Sequence, residues 1–425
     1  MSKYVVIITI VIVGLTGSGT AVALNGSGTQ QDPWLIQSLE DFNDFAADAN
    51  YWAGFTRLET DVNLAGMVYE RAVIAPDVNS AEGGFQGIAF AGVFNGNDHK
   101  VLNLTIDDAG ANNDYLGLFG CIDGGEVMNL GIEGGFVSGE YDVGGLVGGN
   151  FGIVSNCYCT GDMSGYSSVG GLVGMNGFVV YFPTSAKAGY IYNSYSTGSV
   201  QGDSFVGGLV GLVINGDVSN CCSISDVNGN EAGGLVGVNY GIVSNCYAAG
   251  DVNGVSTVGG LVGRNGVHTG GYPGTDPGYI HYSYSTGAVQ GNSHVGGLVG
   301  HNFYGTVSNC YSKGDVNGVE DVGGLVGANW DDVWNCFWDI ETSAEPNMCG
   351  NENPTCDNSY GKTTDEMQTR STFTDTGWDF INVWGIGENQ TYPYLRTFLA
   401  GDINKDGIVN FLDLSITANQ WMEEQ

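Results

Sequence analysis

Near the C-terminus, the run Gly401-Asp402-Ile403-Asn404-Lys405-Asp406-Gly407-Ile408-Val409-Asn410-Phe411-Leu412-Asp413 places oxygen donors at a spacing suited to a hard cation. Asp402, Asn404, Asp406, Asn410 and Asp413 fall at positions 1, 3, 5, 9 and 12 of a loop. Gly407 at position 6 permits the sharp turn, and Ile408 at position 7 would add its backbone carbonyl. Calcium is the expected metal, and Leu412 to Trp421 would form the following helix. The competing reading is an acidic turn without a metal.

Other chemistry-bearing patterns are weaker. His281, His294 and His301 lack metal-ligand spacing, and there is no Gly-x-Ser-x-Gly, phosphate loop or His-Glu-x-x-His string. Asp162, Asp226, Asp251 and Asp315 form a column that could set carboxylates on neighbouring strands, as a glycoside hydrolase needs. They recur with the repeat, however, as in Gly250-Asp251-Val252 and Gly314-Asp315-Val316, which favours structural turn residues. A uronate lyase would need cations, and between Glu140 and Ile340 the only basic side chains are Lys187, Arg264 and Lys313. No catalytic residue is assigned, and the expectation is that the protein is not an enzyme.

Charge narrows the partners. The 425 residues include 46 acidic and 11 basic ones, a formal net charge of -35, which argues against nucleic acid, anionic membranes and polyanionic glycans. Lys3, the apolar run Tyr4 to Leu15 and Ala21-Val22-Ala23 read as an export signal over residues 1–23. An uncleaved anchor is the alternative, although the run is shorter than a spanning helix needs. No membrane span is expected after cleavage, and the expected location is secreted or cell-surface. Export would let disulfides persist. Cys349 and Cys356 look like a small clipped loop, while connectivity among the ten cysteines is not readable from sequence.

The elements that must carry these features are repeats. Gly-Gly-Leu-Val-Gly recurs with its leucine at 146, 172, 209, 235, 261, 298 and 325, preceded by Gly-Leu-Phe-Gly at Leu118. The spacings of 28, 26, 37, 26, 26, 37 and 27 residues describe a unit of about 26 with two insertions. Short β-branched runs between Gly and Asn-Gly punctuation favour strands, so the expected fold is all-β, a right-handed parallel β-helix or solenoid of about eight to ten rungs. Val154, Ile191, Val218, Val243, Ile280, Val307 and Val333 form a β-branched column expected to point inward. Asn156, Asn193, Asn220, Asn245, Asn309 and Asn335, broken by Tyr282, form an asparagine column expected to hydrogen-bond along the coil axis. The variable position before it (Ser155, Tyr192, Ser219, Ser244, His281, Ser308, Trp334) reads as outward. A bend at the asparagine would turn the next column inward: Cys157, Ser194, Cys221, Cys246, Ser283, Cys310 and Cys336. Two readings stand there: thiols filling a narrow core, or Cys221–Cys246 and Cys310–Cys336 disulfides.

A longer period underlies the insertions. Gly189 to Gly202 matches Gly278 to Gly291 at 11 of 14 positions, displaced by 89, and Gly152 to Gly165 returns at Gly241 to Gly254. A three-rung block is therefore duplicated, and loops 178–188 and 267–277 should leave the same side three rungs apart. They read either as binding loops or as tolerated insertions.

The rungs from Tyr115 to Trp338 resemble the GLUG-motif repeat family, on the string Gly145-Leu146-Val147-Gly148 and its copies. The flanks look like those of the same exported proteins. Asp32-Pro33-Trp34-Leu35-Ile36 leads to an expected helix Leu39 to Ala47 capped by Ser38, and Phe94 to Leu104 looks like an opening rung. Gly361 to Met367 and Tyr392 to Leu395 look like a closing segment. The tail resembles half of a type I dockerin, which implies a cohesin-like receptor; it departs from that family in having one copy of the unit and an apolar Phe411-Leu412 pair.

The expected organisation is signal 1–23, cap and first rungs 24–114, repeat solenoid 115–340, closing segment 341–398 and calcium loop with helix 399–425. The resemblance implies a non-catalytic secreted or surface protein in adhesion or envelope and matrix architecture, whose candidate partners are an extracellular glycan or a cell-surface protein. The alternative is a glycan-binding or neutral-polysaccharide-active β-helix protein recruited through its tail.

Overall fold

The computed structural model describes residues 24–396 apart from 82, 182–183, 267–276 and 352, with backbone alone at 179–181 and 184–185. The expected export signal and the expected calcium loop lie outside the described residues.

The chain winds as an all-β parallel solenoid. Each coil from Asp114 onward contributes to three sheets, whose strands pair in parallel register with neighbouring coils. Along the first sheet the path holds eleven strand levels, from Trp34–Ile36 to Val326–Asn329. That exceeds eight to ten rungs because the stack begins before Phe94 to Leu104, the stretch read as the opening rung: Trp34–Ile36 pairs in parallel with Phe55–Leu58. The helix Leu39–Ala47 forms where expected, and the Ser38 hydroxyl accepts from the Asp41 amide. Its Phe42 and Phe45 are fully buried, Phe45 lying 5.5 Å from the Phe94 ring, so the helix closes the N-terminal end of the core.

The core is made of columns. All eight repeat leucines from Leu118 to Leu325 are fully buried. The β-branched column is in register, Val154 with Ile191, Ile191 with Val218, and onward to Val307 with Val333. The asparagine column forms the corner. Asn156, Asn193, Asn220, Asn245, Asn309 and Asn335 all have φ between 50° and 53°, and Tyr282 has φ 49°. Asparagine tolerates this left-handed conformation better than other side chains with a Cβ, which accounts for its recurrence. Its side chains join along the axis over part of the column: Asn193 donates to Asn156 at 3.2 Å and Asn156 to Asn129 at 3.1 Å. Asn220 Oδ1 has no hydrogen-bond partner among the described residues, so the expected ladder is discontinuous.

The corner turns the next column inward. Cys157, Cys221, Cys246, Cys310 and Cys336 are at most 1% exposed, and all five are free thiols. The neighbouring-rung disulfides are therefore not formed. Each thiol instead donates back to the carbonyl two residues earlier, as Cys246 does to Ser244 at 3.1 Å. Cys349 and Cys356 are bonded to each other. The outward column faces solvent at Trp334, while Ser308 is buried beneath its hydrogen-bonding neighbour His281.

A second asparagine column lies wholly inside. Asn150, Asn176, Asn239, Asn265, Asn302 and Asn329 follow the leucines in Gly-Gly-Leu-Val-Gly-x-Asn, and all are fully buried. Asn150 donates to Asn176 at 2.7 Å, Asn239 to Asn265 at 2.8 Å and Asn265 to Asn302 at 2.9 Å, and Val213 interrupts the run. The Cys349–Cys356 loop seals its end, where Asn329 donates to Thr355 Oγ1 at 2.9 Å and Asn351 donates to the Asn329 carbonyl at 2.9 Å.

On the second sheet, outward tyrosines stack coil on coil. Tyr158 and Tyr195 lie 4.9 Å apart at 2°, and Tyr284 and Tyr311 lie 4.9 Å apart at 6°. The closing segment covers the last of them, with Tyr311, Phe337, Met367, Phe373, Trp378 and Trp384 in one apolar cluster. Hiding the terminal coil in this way keeps a solenoid soluble.

Candidate binding cleft between the loop-bearing coils

The two coils with insertions split their first-sheet strand. One runs Val173–Asn176 and resumes at Tyr190–Tyr192; the other runs Val262–Asn265 and resumes at Tyr279–His281. Between them lie two uninterrupted strands, Val210–Ser219 and Val236–Ser244. The register across the four coils is Tyr190 to Asp217 to Ile242 to Tyr279. Two tyrosines, 89 residues apart in sequence, thus stand on either side of two coils with smaller side chains.

The first loop is an antiparallel hairpin, Phe178–Tyr181 with Thr184–Lys187. It is tied to earlier coils: the Phe178 ring lies 5.7 Å from Phe151, and Lys187 Nζ lies 2.5 Å from Asp123 Oδ2. Both anchors lie on the side of the hairpin away from the two bare strands. Residues 267–276 of the second loop lie outside the described residues.

What remains is a cleft of about 150 Å³, walled by Tyr190 and Tyr279 and floored by Asn215, Gly216, Asp217 and Gly241. The glycines are required by stacking, since a Cβ on Gly241 would lie 2.2 Å from the Gly216 carbonyl oxygen. Each wall is an aromatic pair two residues apart and hence on one face of its strand. Tyr190 and Tyr192 have ring centroids 6.0 Å apart at 23°, and Tyr279 and His281 5.9 Å apart at 30°.

Asp217 is the only charged group among these residues. Its backbone is fixed, the amide donating to Gly189 at 3.0 Å. Its carboxylate has no hydrogen-bond or ion-pair partner among the described residues, and partial burial raises its pKa. Burial lowers the pKa of His281, which keeps the imidazole neutral at pH 7. Burial and then Asp217 raise the Tyr192 pKa. The cleft can offer flat aromatic faces, an amide and one acceptor carboxylate, and among the described residues it presents no cation.

Three of the four aspartates in the repeated column serve the scaffold. Asp162 accepts from the Ser199 amide at 2.9 Å, Asp226 from Asp251 at 3.2 Å and Asp251 from Ala288 at 2.9 Å. Arg264 is held by Glu231 at 3.3 Å and donates to the Tyr240 hydroxyl at 2.8 Å, with Phe205 and Tyr240 rings beside its guanidinium. His294 meets Asp321 at 3.2 Å and stacks 5.3 Å from His301. The walls were missed in the sequence, although both tyrosines occupy the second position of the duplicated 14-residue stretch.

The expected calcium ligands Asp402, Asn404, Asp406, Ile408, Asn410 and Asp413 lie outside the described residues. Among the described residues there is no group of three or more His, Cys, Asp or Glu arranged to hold a metal, and no helix is long and apolar enough to cross a membrane.

Comparison with known proteins gives partial matches. Halomucin of Haloquadratum walsbyi is 32% identical over 162 residues, 35% of this chain and 2% of that protein. A protein of Evansella cellulosilytica, provisionally named a Gly-rich membrane protein, is 31% identical over 145 residues, 32% of this chain and 15% of the relative. The chain thus spans only a small part of the length of these relatives. A solved structure from Bacteroides ovatus, provisionally titled an immunoglobulin A1 protease, aligns over 87% of this chain and 94% of its own at a TM-score of 0.47 and 19% identity. The family model described as the GLUG motif matches residues 139–163, 228–253 and 291–317, so this chain carries GLUG-motif repeats.

Proposed function

We propose that this protein is a non-catalytic, surface-associated or secreted repeat rod that works in adhesion or in envelope and matrix architecture. Support comes from the GLUG repeats, from relatives named halomucin and a Gly-rich membrane protein, and from the export-signal pattern of residues 1–23. The observation that carries the reading is the use of the repeated aspartates. Asp162, Asp226 and Asp251 each hold a backbone amide of the next coil through one carboxylate oxygen, an arrangement that suits a scaffold.

In this reading the tail binds calcium through Asp402, Asn404, Asp406, Ile408, Asn410 and Asp413, and the metal orders one small knob at the end of the rod. Support there is the donor spacing alone. A single unit with an apolar Phe411-Leu412 pair fits a cohesin-like receptor less well than a stand-alone metal site.

The test is surface labelling of producing cells with an antibody to the repeats, alongside incubation of the full chain with neutral polysaccharides. Labelling of intact cells or recovery from the medium, without soluble sugar release, is expected. Retention in the cytoplasm would overturn the location, and released sugar would overturn the non-catalytic assignment.

A further inference from the structure

We infer that the cleft between Tyr190 and Tyr279 is a binding site for an uncharged linear glycan, lying across the coils with sugar rings on the two aromatic walls and hydroxyls on Asp217. The inference rests on the reading above, that the rod binds without cleaving, and deepens it by naming the ligand class and the site.

Four observations carry it. First, the walls match a sugar polymer in kind. Pyranose rings present C–H groups to flat aromatic faces, and each wall offers two rings within 30° of parallel. Secondly, the walls match in spacing. Three coil steps of ~4.8 Å separate them by ~14 Å, close to the length of three sugar units in an extended chain.

Thirdly, the floor supplies what a neutral polyol needs. The Asp217 carboxylate is partly desolvated yet accepts no hydrogen bond among the described residues, so hydroxyl donors would complete it. Gly216 and Gly241 line the cleft without side chains, and the Cβ that each lacks would meet the neighbouring coil. Fourthly, charge selects against the alternatives. None of the described cleft residues is cationic, and the chain carries -35 overall, so sulfated or uronate polymers would be repelled. A proline-rich peptide could also stack on tyrosines, but it brings few hydroxyl donors to the carboxylate.

The test is calorimetric titration of the full chain with cellohexaose and N-acetylated chitohexaose, with hexagalacturonate and a decaproline peptide as comparators. At least one neutral hexasaccharide should bind saturably. Tyr190→Ala with Tyr279→Ala should weaken it at least tenfold, Asp217→Asn several-fold, and Tyr158→Ala on the second sheet should leave it unchanged. Circular dichroism melting of each variant separates a lost site from a lost fold. Should the double variant misfold, Tyr190→Phe with Tyr279→Phe, expected to keep binding, and Ile242→Trp, expected to fill the floor and abolish it, decide the matter.

No binding by either neutral sugar, binding unaffected by the tyrosine or tryptophan changes, tighter binding of hexagalacturonate, or binding of decaproline alone would each overturn the inference. Hexasaccharide cleavage would instead overturn the non-catalytic reading while leaving the site in place.

Discussion

The side-chain amide of Asn302 donates to Asn329 Oδ1 at 2.8 Å, and both residues are fully buried. A polar row in the middle of an apolar core is stable only while every member is satisfied, and Asn265 and Asn302 rely on the coils on both sides. The row therefore fixes coil register in a way that leucine and valine columns cannot, since apolar packing has no direction.

Asn265→Ala tests this. It removes the acceptor of Asn239 and the donor to Asn302, and strands buried amide groups at about 1–3 kcal/mol each. A clear drop in melting temperature is expected. Asn253→Ala, on the exposed face, should shift stability by less than about 0.5 kcal/mol. Equal effects in thermal melts would contradict the ladder's role.

The thiols make a chemical prediction. Burial pushes Cys157, Cys159 and Cys222 up to about 12, so at pH 8 they are protonated as well as inaccessible. Titration with a thiol reagent should find almost no reaction in the native protein and all eight free cysteines after denaturation without reductant. Four after denaturation would mean that the Cys221–Cys246 and Cys310–Cys336 bridges had formed.

Near the N-terminal coils, burial and then Asp114 raise Asp142 to about 7, and burial followed by Asp77, Glu140 and Asp108 raises Asp114 to about 6. Both folded values lie above the unfolded one near 3.9. The folded state binds more protons between these values, so this contribution to stability is full below about pH 4 and is lost as pH rises through 6 to 7. Asp142→Asn should flatten that slope in melts from pH 4 to 8 and raise stability at pH 8. Asparagine also suits the φ of 53° at this position. An unchanged slope would refute the assignment.

For the tail, calcium calorimetry on the intact chain should give a saturable heat that Asp402→Ala with Asp413→Ala abolishes. The same heat in both would remove the metal site.

Much of this architecture is legible in the residues because each coil repeats its neighbour's chemistry. Val154 and its copies announce an inward column, Asn156 and its copies a corner, and Ser38 a helix start. The interior ladder was hidden because Asn150 or Asn265 in isolation reads as an outward polar residue; only the coil-to-coil register shows each amide facing another. The left-handed positions inside the third-sheet strands were hidden for a different reason. Tyr115, Phe205 and Thr257 adopt φ of 55° to 59°, a conformation that their residue types do not favour and so do not announce. The cleft depends on which coils lack an insertion and on where the hairpin is anchored, and neither Tyr190 nor Tyr279 differs in type from the structural tyrosines Tyr195 and Tyr284.

In the proposed function the coils are scaffold and the outer face binds without reacting. Its most direct test is chromatography of cellohexaose and N-acetylated chitohexaose recovered after prolonged incubation with the full chain and calcium, at concentrations where calorimetry shows the cleft to be occupied. Recovery of the bound hexasaccharide at its original length is the predicted result; shorter oligosaccharides that disappear with Tyr190→Ala and Tyr279→Ala would contradict it.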